Sequence, residues 1–88
     1  MDYQVTLTAQ LNYVTAGANQ ALDLNLAIPD AADDDAGNIM DGLGATYIGS
    51  KSYYLNANKV TDLVKALADY NTGDQHWIII PEFYLVNN

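Results

Sequence analysis

Ten aspartates give this chain its most distinctive chemistry, and five of them lie between Pro29 and Gly44. Carboxylates at this density could bind a divalent cation, supply a general acid–base pair, or present a row of negative charge to a partner. The five residues are Asp30, Asp33, Asp34, Asp35 and Asp41. The spacing of these side chains decides among the three chemistries.

A calcium loop of the EF-hand type needs oxygen ligands at alternating positions and an acidic residue at its twelfth position. Counted from Asp33, the twelfth position is Gly44, and counted from Asp30, the third position is Ala32, so neither frame fits. The sequence therefore predicts no metal site. A weak, irregular divalent-cation site stays open as an alternative.

Catalysis finds little support in the remaining residues. The chain has no cysteine and one histidine, His76, and no serine lies in a Gly-x-Ser-x-Gly turn. A general acid needs burial to raise its pKa, whereas the aspartates fall at positions predicted to be exposed. Gly42-Leu43-Gly44 lacks the lysine of a phosphate-binding loop. We therefore expect no catalytic residue, no cofactor and no enzymatic activity.

The five aspartates are positioned by a helix that is predicted to follow Pro29. Asp30 suits the N-cap, and Asp33 follows it by three residues, as in a capping box. Gly42 or Gly44 ends the helix. Apolar residues recur at helical spacing through it. They are Ala32, Ala36, Ile39, Met40 and Leu43.

Helical geometry places most of the carboxylates opposite these apolar residues. With Asp30 at zero, Asp34 and Asp41 fall within about 40°, Asp33 at about 300° and Asp35 at about 140°. Asp35 alone lies outside the row that the other four carboxylates form along the helix. The row averages about one charge per 3 Å of helix axis, close to the roughly 3.4 Å spacing of charges along one DNA strand.

Two strands are predicted before this helix and a hairpin after it. Apolar and polar side chains alternate over 3–13 and 22–28, which predicts an antiparallel pair joined by a turn at 15–20. In the segment 46–55, Gly49-Ser50 suits a two-residue type II′ turn. A single bulged strand is the alternative.

A second helix and a last strand complete the chain. Asn56 or Asn58 caps the helix, 71–74 ends it, and its apolar stripe is Val60, Leu63, Val64 and Leu67. In the last strand, 76–86, Pro81 indicates an edge, a bulge or a break. The sequence thus predicts one domain, 1–88, of the α+β class, with order ββαββαβ and two helices on one face of an antiparallel sheet.

Eleven acidic residues oppose three lysines and no arginine, for a formal net charge of −8. Phosphate contacts need lysine or arginine, so we expect no direct binding to nucleic acid and instead a basic protein partner. Tyrosine is enriched at interfaces, and we predict that Tyr47, Tyr53 and Tyr54 join the five aspartates in binding. The sequence shows neither a membrane span nor a signal peptide, which predicts a cytoplasmic protein.

In size, acidity, missing signal peptide and lack of a catalytic motif, the chain resembles the small acidic proteins that phages encode against host nucleases, such as anti-CRISPR proteins and restriction inhibitors. The resemblance covers no aligned motif. It implies an inhibitor that mimics phosphate charge in the nucleic-acid groove of a host nuclease. The alternative is a small phage structural or assembly protein that acts through sheet edges and tyrosines. The oligomeric state stays open.

Overall fold

A computed structural model of the chain describes residues 2–12, 26–27, 30–73 and 76–86. Its elements are, in order, β1 (Asp2–Leu11), β2 (Leu26–Ala27), α1 (Asp30–Gly42), β3 (Thr46–Gly49), β4 (Ser52–Asn56), a 3₁₀ turn (Ala57–Lys59), α2 (Val60–Asn71) and β5 (Trp77–Val86). The predicted order and the α+β class are confirmed. The predicted turn at 15–20 and most of the predicted strand 22–28 lie outside the described residues.

β1 is the central strand, and each of its three pairings is antiparallel. β5 pairs with the whole length of β1 along one edge. Along the other edge, β4 pairs with Asp2–Thr6 and β2 with Thr8 and Ala9. The predicted pairing of the first two strands is therefore confirmed where the second is described.

The core lies between one face of this sheet and the two helices. Odd-numbered residues of β1 point into it because side chains alternate along a strand. A single cluster of buried side chains joins the sheet to both helices. Its members are Val5, Leu7, Ala9, Ala32, Ala36, Met40, Tyr53, Leu55, Leu63, Leu67 and Ile79. Both helices thus cover the same face, as predicted.

α2 buries a narrower stripe than its sequence predicts. Leu63 and Leu67 are buried and Val60 packs at the margin of the core, but Val64 is exposed. The prediction for Val64 is wrong because one residue turns the helix by about 100°, which carries Val64 past the sheet. The side chain of Asn56 accepts from the N–H of Asn58 at 3.1 Å and caps the 3₁₀ turn that leads into α2.

The turn between β3 and β4 differs from the predicted one. Ser50 and Lys51 form it, and their φ angles of 54° and 59° are both positive. Two positive φ angles define a type I′ turn, whereas a type II′ turn has only one. The predicted type II′ turn at Gly49-Ser50 is therefore wrong by one residue and by turn type.

An extra residue in β3 explains this shift. Tyr47 pairs with Tyr53, and Gly49 pairs with Ser52, so Ile48 has no counterpart in β4 and forms a bulge. The hairpin and the bulge, which were alternatives on the sequence, occur together. Gly49 absorbs the irregularity with a φ of 92°, a value that glycine adopts without steric cost.

β5 continues without interruption through Pro81, which lies opposite Leu7. Within the described ranges, β5 pairs with β1 alone. Of the three predictions for Pro81, the edge strand is therefore confirmed. In those same ranges, no helix has the length and apolar character needed to cross a membrane.

Candidate partner-binding site

α1 lies on the sheet through small and flexible side chains. Ala32, Ala36 and Met40 are buried, and their spacing of four residues places them on one side of the helix. Ile39 and Leu43 pack at the margins of this contact. The predicted apolar stripe is confirmed, and the opposite side of α1 faces solvent.

The solvent side of α1 carries exposed carboxylates at Asp34, Asp35 and Asp41, which we call the acidic face. Asp34 and Asp41 are seven residues apart and lie about 10 Å from each other along the axis. About three phosphate charges of a DNA strand span the same length. Asp30 begins α1, but its side chain and its predicted capping role lie outside the described part of the chain.

Charge is unevenly shared between the helices. α1 contains five aspartates and no basic residue. α2 and the 3₁₀ turn before it contain Lys59 and Lys65 against Asp62 and Asp69. The negative potential of the molecule is therefore concentrated on α1.

Asp33 does not belong to the acidic face, although it was predicted in the binding row. Its Oδ2 lies 2.8 Å from Nζ of Lys51, and the two side chains are 28% and 33% exposed. Lys51 reaches it from the turn between β3 and β4. An internal ion pair thus occupies Asp33 and joins the first turn of α1 to the sheet.

Asp35 connects α1 to α2. The hydroxyl of Tyr70 donates to Oδ2 of Asp35 at 2.9 Å. Partial burial and this hydrogen bond to a carboxylate both favour the neutral phenol, and they raise the pKa of Tyr70 to about 12. Asp35 remains exposed, so its second oxygen can still meet a partner.

The three predicted tyrosines lie in three different environments. Tyr53 is only 5% exposed and packs under α1, so its ring is part of the core. Tyr47 is 55% exposed, and its ring centroid lies 5.1 Å from that of Tyr53. Tyr54 is also exposed, but it follows Tyr53 in the strand and therefore points to the opposite face of the sheet. Tyr47 alone is available on the side of α1.

The phenol of Tyr53 lies near the charged groups of Asp33, Asp41 and Lys51. Burial raises the pKa of its phenol, and the negative charges of Asp33 and Asp41 act in the same direction, while Lys51 opposes them. A Cβ added to Gly37 would meet the hydroxyl oxygen of Tyr53 at 3.8 Å. The side chain of Tyr53 thus packs directly against α1, the helix that carries the carboxylates.

Within the described ranges, no three Asp, Glu or His side chains lie close enough together to hold a metal ion. This arrangement gives no support to the divalent-cation alternative. His76 is exposed and contacts Trp77, with a centroid distance of 5.1 Å and an interplanar angle of 75°. His76 is the residue that directly precedes β5.

The contacts of Lys51 with Asp33 and of Tyr70 with Asp35 were not predicted from the sequence. Lys51 is 18 residues from Asp33, and Tyr70 is 35 residues from Asp35. Neither interval is a helical or strand repeat. Only the packing of α1 against the β3–β4 turn and α2 brings these pairs together.

A scan against protein-family models, a search of curated proteins and a search of solved structures each give no match to this chain. The function of this chain must therefore be inferred from the residues of the site, because a fold alone does not specify a function.

Proposed function

We propose that this protein is a non-enzymatic inhibitor that binds the nucleic-acid groove of a basic protein and occupies it with the acidic face. The observation that carries the proposal is the separation of charge in the helical layer. α1 presents Asp34, Asp35 and Asp41 outward and bears no basic residue. We further propose that it acts in the cytoplasm of a host cell against a nuclease of the CRISPR or restriction type.

A helix suits this role because it presents its charges from fixed positions. Ala32, Ala36 and Met40 hold α1 on the sheet, so few degrees of freedom are lost when a partner binds. Carboxylates accept paired hydrogen bonds from arginine, the residue that most often contacts phosphates in nucleic-acid grooves. The acidic face thereby replaces a short length of phosphate backbone.

In this proposal, the exposed ring of Tyr47 adds an aromatic contact beside the acidic face. Its exposed ring is supported by Tyr53, and a flat aromatic ring can stack on an arginine side chain of the groove. The long-range attraction between the acidic protein and a basic groove accelerates association and decreases as salt screens it. We therefore expect strong salt dependence of binding.

The test is inhibition of DNA cleavage by a panel of purified CRISPR effector nucleases and restriction enzymes. We expect the wild-type protein to block cleavage by at least one of them and to compete with its DNA in a gel-shift assay. The double variant Asp34→Asn, Asp41→Asn should lose this inhibition. Asparagine keeps the shape of each side chain and removes only its charge.

The matched control is the double variant Asp62→Asn, Asp69→Asn, which removes the same charge from exposed positions of α2. It should inhibit nearly as well as the wild type. Thermal melting of both variants checks that they remain folded. Equal loss in the two variants, or no inhibition of any enzyme in the panel, would overturn the proposal.

A further inference from the structure

The side chain of Tyr53 is buried, but the fold makes no use of its hydroxyl. Only 5% of the residue is exposed, and a buried tyrosine usually pairs its hydroxyl with a polar group. Among the residues that the structure describes, no group forms a hydrogen bond with this one. No side-chain N or O atom of those residues is both fully enclosed and unpaired. The hydroxyl oxygen of Tyr53 therefore reaches the surface, where it can meet a group from outside.

Gly37 marks the point of α1 at which this hydroxyl lies. A Cβ added to Gly37 would meet the hydroxyl oxygen of Tyr53 at 3.8 Å. Apart from the backbone of α1 and the two neighbours of Gly37, no other described atom would lie within 4 Å of that Cβ. The missing side chain thus leaves an open space on α1 with the Tyr53 hydroxyl as its floor, which we call the notch.

A carboxylate lies on each side of the notch. Asp33 precedes Gly37 by four residues and Asp41 follows it by four, so both lie on the side of α1 that carries the notch. Burial raises the pKa of the Tyr53 phenol, and both carboxylates raise it further, as charges close to a hydroxyl do. Lys51 already binds Asp33 at 2.8 Å. Asp41 is exposed and belongs to no ion pair among the described residues, so a cation from outside can bind there.

The ring of Tyr47 forms a wall beside the notch. Tyr47 pairs with Tyr53 across β3 and β4, so both side chains point to the face that α1 covers. The two ring centroids lie 5.1 Å apart, and the backbone N–H of Lys51 donates to the hydroxyl of Tyr47 at 3.4 Å. These two contacts fix the ring, which nevertheless remains 55% exposed. A fixed, exposed aromatic face attracts a flat cation.

We propose that the notch binds the guanidinium group of one arginine of the partner protein. One N–H donates to the hydroxyl oxygen of Tyr53, another pairs with the carboxylate of Asp41, and the flat group stacks on the ring of Tyr47. Arginine suits these contacts because its guanidinium presents five donors in one plane, whereas the ammonium of lysine is a compact, strongly hydrated charge. This inference rests on the proposed function, since it names the residue of the basic groove that meets α1.

The notch can be tested on the free protein, without any nuclease. The probe is the tripeptide Gly-Arg-Gly with both ends blocked, and its binding is followed by NMR chemical shifts. We expect the largest shifts at the Gly37 amide and the Tyr53 ring. The lysine tripeptide should bind at least about threefold more weakly. The citrulline tripeptide, which keeps the shape of arginine without its charge, should give no shifts at the notch.

Two variants change the notch without removing a contact of the fold. Tyr53→Phe deletes only the unpaired hydroxyl, so the melting temperature should hold while affinity for the arginine tripeptide falls about tenfold. Gly37→Leu covers the hydroxyl with a side chain that favours a helix more than glycine does. It should also lose binding, with an equal or higher melting temperature. The matched control Tyr54→Phe removes a hydroxyl from the opposite face of the sheet and should bind as the wild type does.

The outcomes separate this inference from the proposed function. Arginine and lysine tripeptides of equal affinity, shifts centred away from Gly37, or wild-type affinity in both Tyr53→Phe and Gly37→Leu would refute the arginine site, whatever the protein does to nucleases. Arginine binding at the notch that both variants weaken would support the site. If the same protein inhibited no nuclease of the panel, the site would stand and only the proposed function would fail.

Discussion

The ammonium group of Lys51 lies 2.8 Å from the carboxylate of Asp33, and the backbone that holds it has a φ of 59°. A left-handed conformation costs a residue with a side chain about 1–2 kcal/mol. A partly exposed ion pair returns only about 0–1 kcal/mol. The backbone strain at Lys51 is therefore at least as large as the return from its ion pair with Asp33, and two variants at Lys51 can separate the two contributions.

Lys51→Ala removes the ion pair and keeps the strained backbone, so we expect the free energy of unfolding to fall by up to about 1 kcal/mol. Lys51→Gly removes the same ion pair and also relieves the strain. It should be more stable than Lys51→Ala by about 1 kcal/mol. Urea denaturation of both variants measures the difference. Equal stabilities would show that the backbone at this position is not strained.

Local periodicity explains why so much of the fold was predictable. Side chains alternate along β1, and apolar residues recur through α1 at helical spacing, so each element specifies its own buried face. Ala32, Ala36 and Met40 are buried as their spacing indicates. Since one face of each element must be covered, an antiparallel sheet with both helices on one side follows from these patterns.

The features that were not predicted depend on contacts distant in sequence. α2 buries Leu63 and Leu67, whereas Val64, about 100° further round the helix than Leu63, is exposed. The bulge at Ile48 moves the hairpin turn to Ser50-Lys51; a bulge was predicted for this segment only as the alternative to a hairpin, and not together with one. Lys51 meets Asp33 only because α1 packs against the turn that carries Lys51, so the ion pair at that carboxylate was not predictable from local sequence either.

Gly37 offers a direct way to stabilise α1. It lies inside the helix, where glycine costs about 0.5–1 kcal/mol relative to alanine. A new Cβ would meet Tyr53 at 3.8 Å, an ordinary contact. Gly37→Ala should therefore raise the free energy of unfolding by up to about 1 kcal/mol. In contrast, Gly44→Ala should lower it by about 1 kcal/mol or more, because Gly44 has a φ of 71°. Thermal and urea unfolding would contradict this if both variants shifted in the same direction.

Tyr70 should make stability fall at alkaline pH. Its pKa is raised to about 12 in the folded chain, against about 10 in the unfolded chain. Because the folded state favours the protonated phenol, this contribution is fully present below pH 10 and is lost between about pH 10 and 12. Tyr70→Phe should flatten that part of the profile of unfolding free energy against pH. An unchanged slope would mean that Asp35 does not hold the phenol neutral.

Asn71 is the side chain whose loss should disturb β5 most. Asn71→Ala leaves the N–H and C=O of Ile79 without this amide, and we expect a loss of about 2 kcal/mol, near 1 kcal/mol for each hydrogen bond. The exposed control Asn58→Ala should change stability by no more than about 0.5 kcal/mol. Hydrogen exchange at the Ile79 amide should accelerate in Asn71→Ala.

Asn71→Asp tests the geometry of the same contact. A carboxylate can accept from the N–H of Ile79 but repels its carbonyl, whereas a protonated carboxyl group can satisfy both. The pKa of the new side chain should therefore lie above its unfolded value. Relative to the wild type at the same pH, the variant should be close to full stability below about pH 4 and lose stability as the pH rises. If the difference between variant and wild type did not depend on pH, Asn71 would not contact both backbone groups of Ile79.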